Sequence, residues 1–365
     1  MKTGNSSTSL FLVPSPGSKG GVANYYSIIR DNILIPYEYF YRGVKVQDSK
    51  FSRFIFLFSA LFDYIRFFMK LKTGRYPVVI LNTSFGRTGL WRDSLFIKII
   101  RKFQLKYVVF FRGIDEKVFE LVKRKYLRQF RETFLRADKI IVLADSLKEQ
   151  LVNLGYTKEI IVETTVIDTD LLSEVSPEQI AAKQNAPLTN LLFLSRIEKS
   201  KGIYELVRAF LLLTEKYPGI KLRICGKGRE KENIKRMVAG NDSIHFAGHV
   251  EGMTKIEEYS SGQLFLLPSY HEGLPNSILE AMAFGMVVIT TSVGGIPGIF
   301  RDGVNGCLLK SLDSESIISA IEHYIKDPED RLKTAIVNFN YAKEKFSKDA
   351  VGARLSQIIS DVIVN

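Results

Sequence analysis

The stretch "LFLLPSYHEGLPNSILEAMAFG", residues 264–285, reads as strand, loop, helix and stop. Leu264 to Leu267 are apolar without alternation, so they predict a strand buried on both faces. Pro275 suits a first helical turn and Gly285 suits the residue just past a helix end. A strand feeding a helix through a short loop is the repeating unit of a parallel sheet.

The same rhythm runs outward in both directions. Downstream and upstream in the second half, strands are expected at 190–197, 220–228, 244–250, 263–269, 287–293 and 306–310, with helices near 201–215, 229–238, 275–284 and 313–325. The first half repeats it, with strands at 9–15, 77–84, 107–113, 139–146 and 160–166 and helices near 21–31, 50–72, 90–103, 116–136 and 146–154. Residues 171–189 break the pattern and read as a linker, and the tail at 327–363 reads as helix with a break near Ser347. The expected fold class is α/β, with two Rossmann-like, doubly wound parallel-sheet domains facing each other across a cleft. The expected domains are 1–170, 171–346, and a terminal helix 347–365 packing back on the first. Ligands of such sheets bind outside the carboxyl ends of the strands.

The 365 residues are 46% apolar and 25% charged, an ordinary globular composition that suits two domains. Two cysteines far apart, Cys225 and Cys307, make neither a disulfide framework nor a metal-ligand spacing and suit a reducing compartment. The apolar run at the start is too short for a signal-peptide core. Asp63 and Arg66 interrupt the greasiest stretch, 54–71, so no membrane span is expected. The net charge of +12 is carried entirely by residues 1–170, which hold 28 Lys and Arg against 16 Asp and Glu. The remainder holds 23 of each, and all four histidines.

In 264–285, the loop carries Glu272 and the helix carries Glu280. A helix start after a strand end offers free N–H groups and a positive dipole to a phosphate. A carboxylate one turn inside accepts two hydrogen bonds from vicinal hydroxyls, as a ribose presents them. A carboxylate in the loop is placed for a second polyol. The pattern therefore suits a ligand with ribose, phosphate and sugar in a row. Arg196 and Lys201 follow another strand end, where two cations can grip a diphosphate. Gly20 and Gly21 follow the first strand, and lack the spacing of a dinucleotide fingerprint.

Together these segments resemble the family 4 glycosyltransferases of GT-B fold, whose signature Glu-x7-Glu matches Glu272 and Glu280, with support from "SRIEKSKG", "CGKG", "IHFAGHV" and "VVITTSVGGIPGIFRDGVNGCLL". The resemblance implies a retaining transfer from a UDP- or GDP-linked sugar to a hydroxyl of a glycan or lipid-linked acceptor, in cell-surface polysaccharide synthesis. It casts Arg196 and Lys201 as the pair that neutralises the diphosphate and Glu272 as the carboxylate at the transferred sugar, these three being the catalytic set. Glu280 matches the ribose ligand, and Gly273, Leu274, Pro275 and Asn276 match the loop at sugar and phosphate. Phe246 matches the segment near the base, and Gly20 and Gly21 match the first-domain loop facing the phosphate. Arg112 stands where the family often has histidine, on the sugar or acceptor side, and His271 is a candidate on the same side. Gly298 stands where many relatives carry Glu, and "VETTVID" lacks the common Pro-Asn-Gly. Asp168 and Asp170 mimic the metal-binding pair of the other glycosyltransferase fold; no metal and no cofactor is expected.

Residues 50–75 mix Phe54, Phe56, Phe58, Phe62, Phe67 and Phe68 with Arg53, Arg66, Lys70, Lys72 and Arg75, and 117–131 adds Lys117, Lys123, Arg124, Lys125, Arg128 and Arg131. Basic, apolar helices suit an anionic membrane surface, here the cytoplasmic leaflet. The chain matches no nucleic-acid module, so nucleic acid is not an expected partner. Two other readings share these features: a non-catalytic sugar-nucleotide-binding subunit, and a GT-B-like sugar-nucleotide epimerase.

Overall fold

The computed structural model describes residues 8–18, 20–43, 52–172 and 175–364, with the side chains at 52–58, 84, 87 and 114 outside the description. The chain forms two compact units. One runs to Thr165 and resumes at Lys348; the other is Val166–Ser347.

The first unit is built on six parallel strands: β1 (Ser9–Pro14), β2 (Tyr37–Arg42), β3 (Val78–Phe85), β4 (Lys106–Ile114), β5 (Lys139–Val142) and β6 (Ile160–Val162). Their order is β2-β1-β3-β4-β5-β6, so the chain reverses its direction of travel between β1 and β3. β1 and β5 are buried almost end to end, as their unbroken apolar runs require. Strand β2, "YEYFYR", is absent from the sequence reading. It is an edge strand with half-buried Tyr37, Glu38, Tyr39 and Tyr41, and its buried Arg42 pairs with the fully buried Asp93. A strand whose buried positions include an arginine gives no apolar signature.

The terminal helix Lys348–Val364 belongs to this unit. Arg354 grips the Glu163 carboxylate with Nε at 2.9 Å and Nη2 at 2.8 Å, and Lys106 Nζ donates to Val362 O at 3.0 Å. The helix before it, Pro328–Phe346, ends at Ser347, where the sequence pattern breaks.

The second unit holds β7 (Asn190–Leu194), β8 (Lys221–Cys225), β9 (Ile244–Gly248), β10 (Leu264–Leu267), β11 (Val287–Thr291) and β12 (Gly306–Leu309). Their order, β12-β11-β10-β7-β8-β9, with every pair parallel, is that of the dinucleotide-binding Rossmann sheet, and its reversal lies between β7 and β10. β10 and β11 are buried at every residue.

Residues 171–189 are not a linker. They contain the helix Pro177–Asn185, opened by a capping box between Ser176 and Gln179. Gln184 Nε2 donates to Gly285 O at 2.8 Å, and buried Arg331 donates to Gln184 O, Ala186 O and Tyr324 O. The helix is anchored through polar groups to backbone carbonyls, which is why its composition hides its burial. A second helix absent from the sequence reading, Gly252–Ser261, is short and buries only Glu258 and Tyr259.

Candidate functional site

The reversal between β7 and β10 separates two crossovers that leave the sheet on opposite sides, so the loops after these strands diverge and leave a crevice. The loop after β7 is Ser195–Gly202 and the loop after β10 is Pro268–Pro275. They are locked together closely. Gly202 has φ +66°, and a Cβ there would lie 1.8 Å from Pro268 O. Tyr270 N donates to Ser200 O at 2.9 Å. Gly294, in the loop after β11, has φ +61° and approaches Glu272 O so closely that a Cβ would lie 2.1 Å away. Its neighbour Gly295 donates its N–H to Gly273 O at 2.6 Å. Only glycine meets both demands at these two positions.

These loops bring Lys201 and Glu272 into a buried ion pair. Lys201 Nζ lies 2.7 Å from Glu272 Oε1, with the two side chains 9% and 8% exposed. Lys201 Nζ also donates to His271 O at 3.1 Å, and Ser269 Oγ donates to Glu272 Oε1 at 2.7 Å. Thr291 Oγ1 in turn fixes the loop by donating to Ser269 O at 2.6 Å. The cation expected at a diphosphate and the carboxylate expected at a sugar are therefore direct partners. Arg196 is not part of this cluster: its side chain is exposed and its Nη1 meets Glu198 Oε1 at 3.1 Å. His271 is exposed, and it contributes its backbone carbonyl to Lys201.

The helix behind the loop is Asn276–Ala283, and Pro275 sits just ahead of its first residue rather than inside the first turn, because its ψ of 117° is extended. Among the described residues no side chain caps this N-terminus. Leu274 is buried at its foot, and Gly273 is exposed in the loop. Glu280 projects from the middle of the helix. Its Oε1 meets Lys255 Nζ at 2.6 Å and its Oε2 accepts from Tyr259 Oη at 2.9 Å. Burial and the adjoining Glu280 carboxylate push the Tyr259 hydroxyl well above its ordinary pKa, which keeps it a donor. Lys255 and Tyr259 escaped the sequence reading. The signal was present, since the two are four residues apart and share one face of Gly252–Ser261.

Phe246 lies half-buried on the edge strand β9, with Lys235 Nζ 5.9 Å from its ring centroid. Asp168 and Asp170 close a local turn, with Asp170 N donating to Asp168 Oδ1 at 3.2 Å. Among the described residues no cluster of three or more His, Cys, Asp or Glu is arranged to hold a metal ion.

In the first unit, Gly20 and Gly21 start the helix Gly21–Ile29 at the carboxyl end of β1. Among the described residues, a Cβ on either would have no heavy atom within 4 Å, which leaves the backbone there open to an approaching group. Arg112, near the end of β4, stacks its guanidinium 3.9 Å from the Tyr25 ring centroid and 4.2 Å from that of Phe110. Its buried Nη1 has no hydrogen-bond partner among the described residues. Burial pushes the Tyr25 hydroxyl above its ordinary pKa. Arg112 thus braces the helix that the two glycines begin.

Residues 177–338 match the sequence profile of the family described as Glycosyl transferases group 1. The lipopolysaccharide core biosynthesis glycosyltransferase LpsE of Rhizobium meliloti is 26% identical over 230 residues, covering 62% of this chain and 65% of that protein. The matched stretch thus spans just under two thirds of that relative's length. Among solved structures, HepE of Anabaena in complex with UDP superposes with a TM-score of 0.72 at 16% identity, covering 97% of this chain and 100% of that one. Sucrose-phosphate synthase of Thermosynechococcus elongatus superposes with a TM-score of 0.75 at 16% identity, covering 98% and 99%. The fold is GT-B, with two Rossmann-like units.

A buried ion pair is costly to break on one side and cheap to replace on both. Lys201→Met is expected to destabilise the second unit by about 3 kcal/mol, leaving Glu272 buried without its cation. The double variant Lys201→Met with Glu272→Met is expected to recover most of that loss. Urea denaturation of the four proteins in the cycle measures it. Equal midpoints for wild type and Lys201→Met would show that the pair is open to water.

Proposed function

We propose that this protein is a glycosyltransferase that moves a sugar from a UDP- or GDP-linked donor to a hydroxyl of a glycan or lipid-linked acceptor in cell-surface polysaccharide synthesis. The observation that carries this reading is the buried Lys201–Glu272 pair on the loops that follow the strands at the β7/β10 reversal, with Glu280 on the helix that continues the second loop. The family profile over 177–338 and the lipopolysaccharide role in the name of the Rhizobium relative support it.

The chemistry follows from the charges. The Lys201–Glu272 pair holds a cation and an anion out of water, where electrostatic interactions are strong. A diphosphate arriving beside Lys201 competes for its charge, and Glu272 is then released toward the hydroxyls of the sugar. As the bond from the anomeric carbon to the diphosphate breaks, the electron pair leaves on phosphate oxygen. Lys201 and the uncapped N–H groups of helix Asn276–Ala283 stabilise that growing charge. Exposed Arg196 adds its fork after moving off Glu198. The acceptor hydroxyl attacks from the same face and gives its proton to the departing phosphate, so configuration is retained. No metal is required, because lysine and amide dipoles supply the neutralisation. Glu280 holds the ribose hydroxyls, with Lys255 and Tyr259 setting the direction of its oxygens. On the first unit, Gly20, Gly21 and Arg112 serve the sugar and acceptor side.

We also infer peripheral attachment to an anionic membrane at the cytoplasmic face. Among the described residues no helix is long and apolar enough to cross a membrane. Helix Ser52–Thr73 nevertheless exposes Leu61, Phe62, Ile65 and Met69 together with Arg66 and Lys72, while Phe67 faces the core. An apolar stripe with cations beside it suits a headgroup layer.

Glu280→Gln is expected to weaken UDP binding about tenfold to a hundredfold through loss of a charged acceptor, about 1–3 kcal/mol, with the fold retained. Calorimetric titration with UDP measures it, and wild-type affinity in the variant would remove Glu280 from the donor site. The reaction itself is tested by following UDP- and GDP-sugars with and without acceptor extract. Donor consumption that needs acceptor supports transfer, and isomerisation without acceptor contradicts it. Replacing Phe62 and Ile65 together by Glu is expected to abolish sedimentation with phosphatidylglycerol vesicles at low salt; absence of wild-type binding would end the membrane reading.

A further inference from the structure

The second unit carries a concavity that the loops at the β7/β10 reversal do not use. Helix Asn276–Ala283 has its amino end at those loops, and Phe284 follows its carboxyl end. Around Phe284, between helix Pro177–Asn185 and helix Gly252–Ser261, lies a pocket of about 470 Å³. That volume is in the ordinary range for a small-molecule site. Ile180 and Phe284, both buried, form apolar lining, and half-buried Ile256 joins them from the other helix. Met253, one turn before Ile256, lies at the rim with 67% of its surface exposed. The Phe284 ring is fixed by stacking on Tyr259, with centroids 5.4 Å apart and planes 19° from parallel.

One cation enters this apolar lining. Lys183 reaches the pocket from helix Pro177–Asn185, and its Nζ donates to Phe284 O at 2.8 Å and to Tyr259 O at 3.5 Å. Both partners are neutral carbonyls. Among the described residues no carboxylate lies within salt-bridge distance of this amine, and burial alone pushes its pKa down to about 7. Asp170 is the carboxylate nearest the pocket mouth, and it stands exposed there. A charge taken out of water is ordinarily paired, because unpaired burial is costly. An ammonium has three hydrogens, and the two carbonyls leave one over. An anion on that hydrogen would supply both the missing counter-charge and a charge-assisted hydrogen bond.

We propose that this pocket binds a small organic monoanion, with an apolar body of aryl or alkyl carbons seated on Ile180, Ile256 and Phe284 and one carboxylate paired with Lys183. The surroundings set the charge of the guest. A single cation faces the pocket from Lys183, and Asp170 at the rim repels a second negative charge on the ligand. The apolar lining excludes a bare inorganic anion, which would lose its hydration for one hydrogen bond. The site lies wholly within the second unit and uses none of the donor-site side chains, so it depends on neither the donor reading nor the membrane reading.

The probe is 4-phenylbutyrate, followed by saturation-transfer NMR on the full chain. Saturable binding is expected, about tenfold or more tighter than that of the neutral 4-phenylbutanol. Acetate has the charge without the body and is expected not to compete at equal concentration. Lys183→Met keeps the apolar stem and removes the charge. It is expected to erase the advantage of the acid while the alcohol still binds. Ile256→Trp, which fills the pocket, is expected to abolish binding of both. Should that variant fail to fold by circular dichroism, the comparison of acid and alcohol in Lys183→Met decides alone. Three results overturn the proposal: no saturable binding of the acid, equal affinity for acid and alcohol in the wild type, or an advantage of the acid that survives Lys183→Met. The last of these would place the probe on another surface, such as the exposed stripe of helix Ser52–Thr73.

Discussion

The second unit depends on a lysine and a glutamate that reach each other across the point where a parallel sheet reverses. The Lys201–Glu272 pair is nearly closed to water, and every local feature around it serves that contact. Gly202 lets one loop press on Pro268, Gly294 lets another press on Glu272, and Ser269 and Thr291 tie the intervening backbone. Desolvating two charges costs more than their attraction returns unless geometry and extra hydrogen bonds are favourable. A packed apolar pair at the same place would serve stability as well. On the proposed function, the pair is charge held in readiness, with a cation for a phosphate and an anion for hydroxyls.

Much of this was legible in the sequence, and the reason is burial. The central strands β7, β10 and β11 of the second sheet run through the interior, and their unbroken apolar runs announce them. Gly285, Pro275 and the glutamates of 264–285 gave the loop-and-helix unit that carries Glu272 and Glu280. The failures share an opposite cause. β2 and the helices Pro177–Asn185 and Gly252–Ser261 bury polar side chains whose partners lie far away in sequence: Arg42 with Asp93, Gln184 with Gly285 and Gln263, Glu258 with Arg223. Hydrophobic periodicity is blind to such elements, because the signal that defines them is a long-range hydrogen bond.

The site followed the same division. Residue types were legible, but pairings were not. Nothing in the sequence said that Lys201 and Glu272 neutralise each other, or that Glu280 is held by Lys255 and Tyr259. Arg196, which the sequence set beside Lys201, turns to Glu198 instead. On the proposed function, these pairings change the chemistry from a static clamp to an exchange of partners, in which an incoming diphosphate would displace one carboxylate and a ribose would occupy another.

The most direct measurement is a structure of the protein bound to UDP. The account predicts the diphosphate within hydrogen-bond reach of Lys201 Nζ, Glu272 turned away from that lysine, and both ribose hydroxyls on the Glu280 carboxylate. Nucleotide bound elsewhere, with Lys201 still closed on Glu272 and Glu280 making no ribose contact, would contradict it.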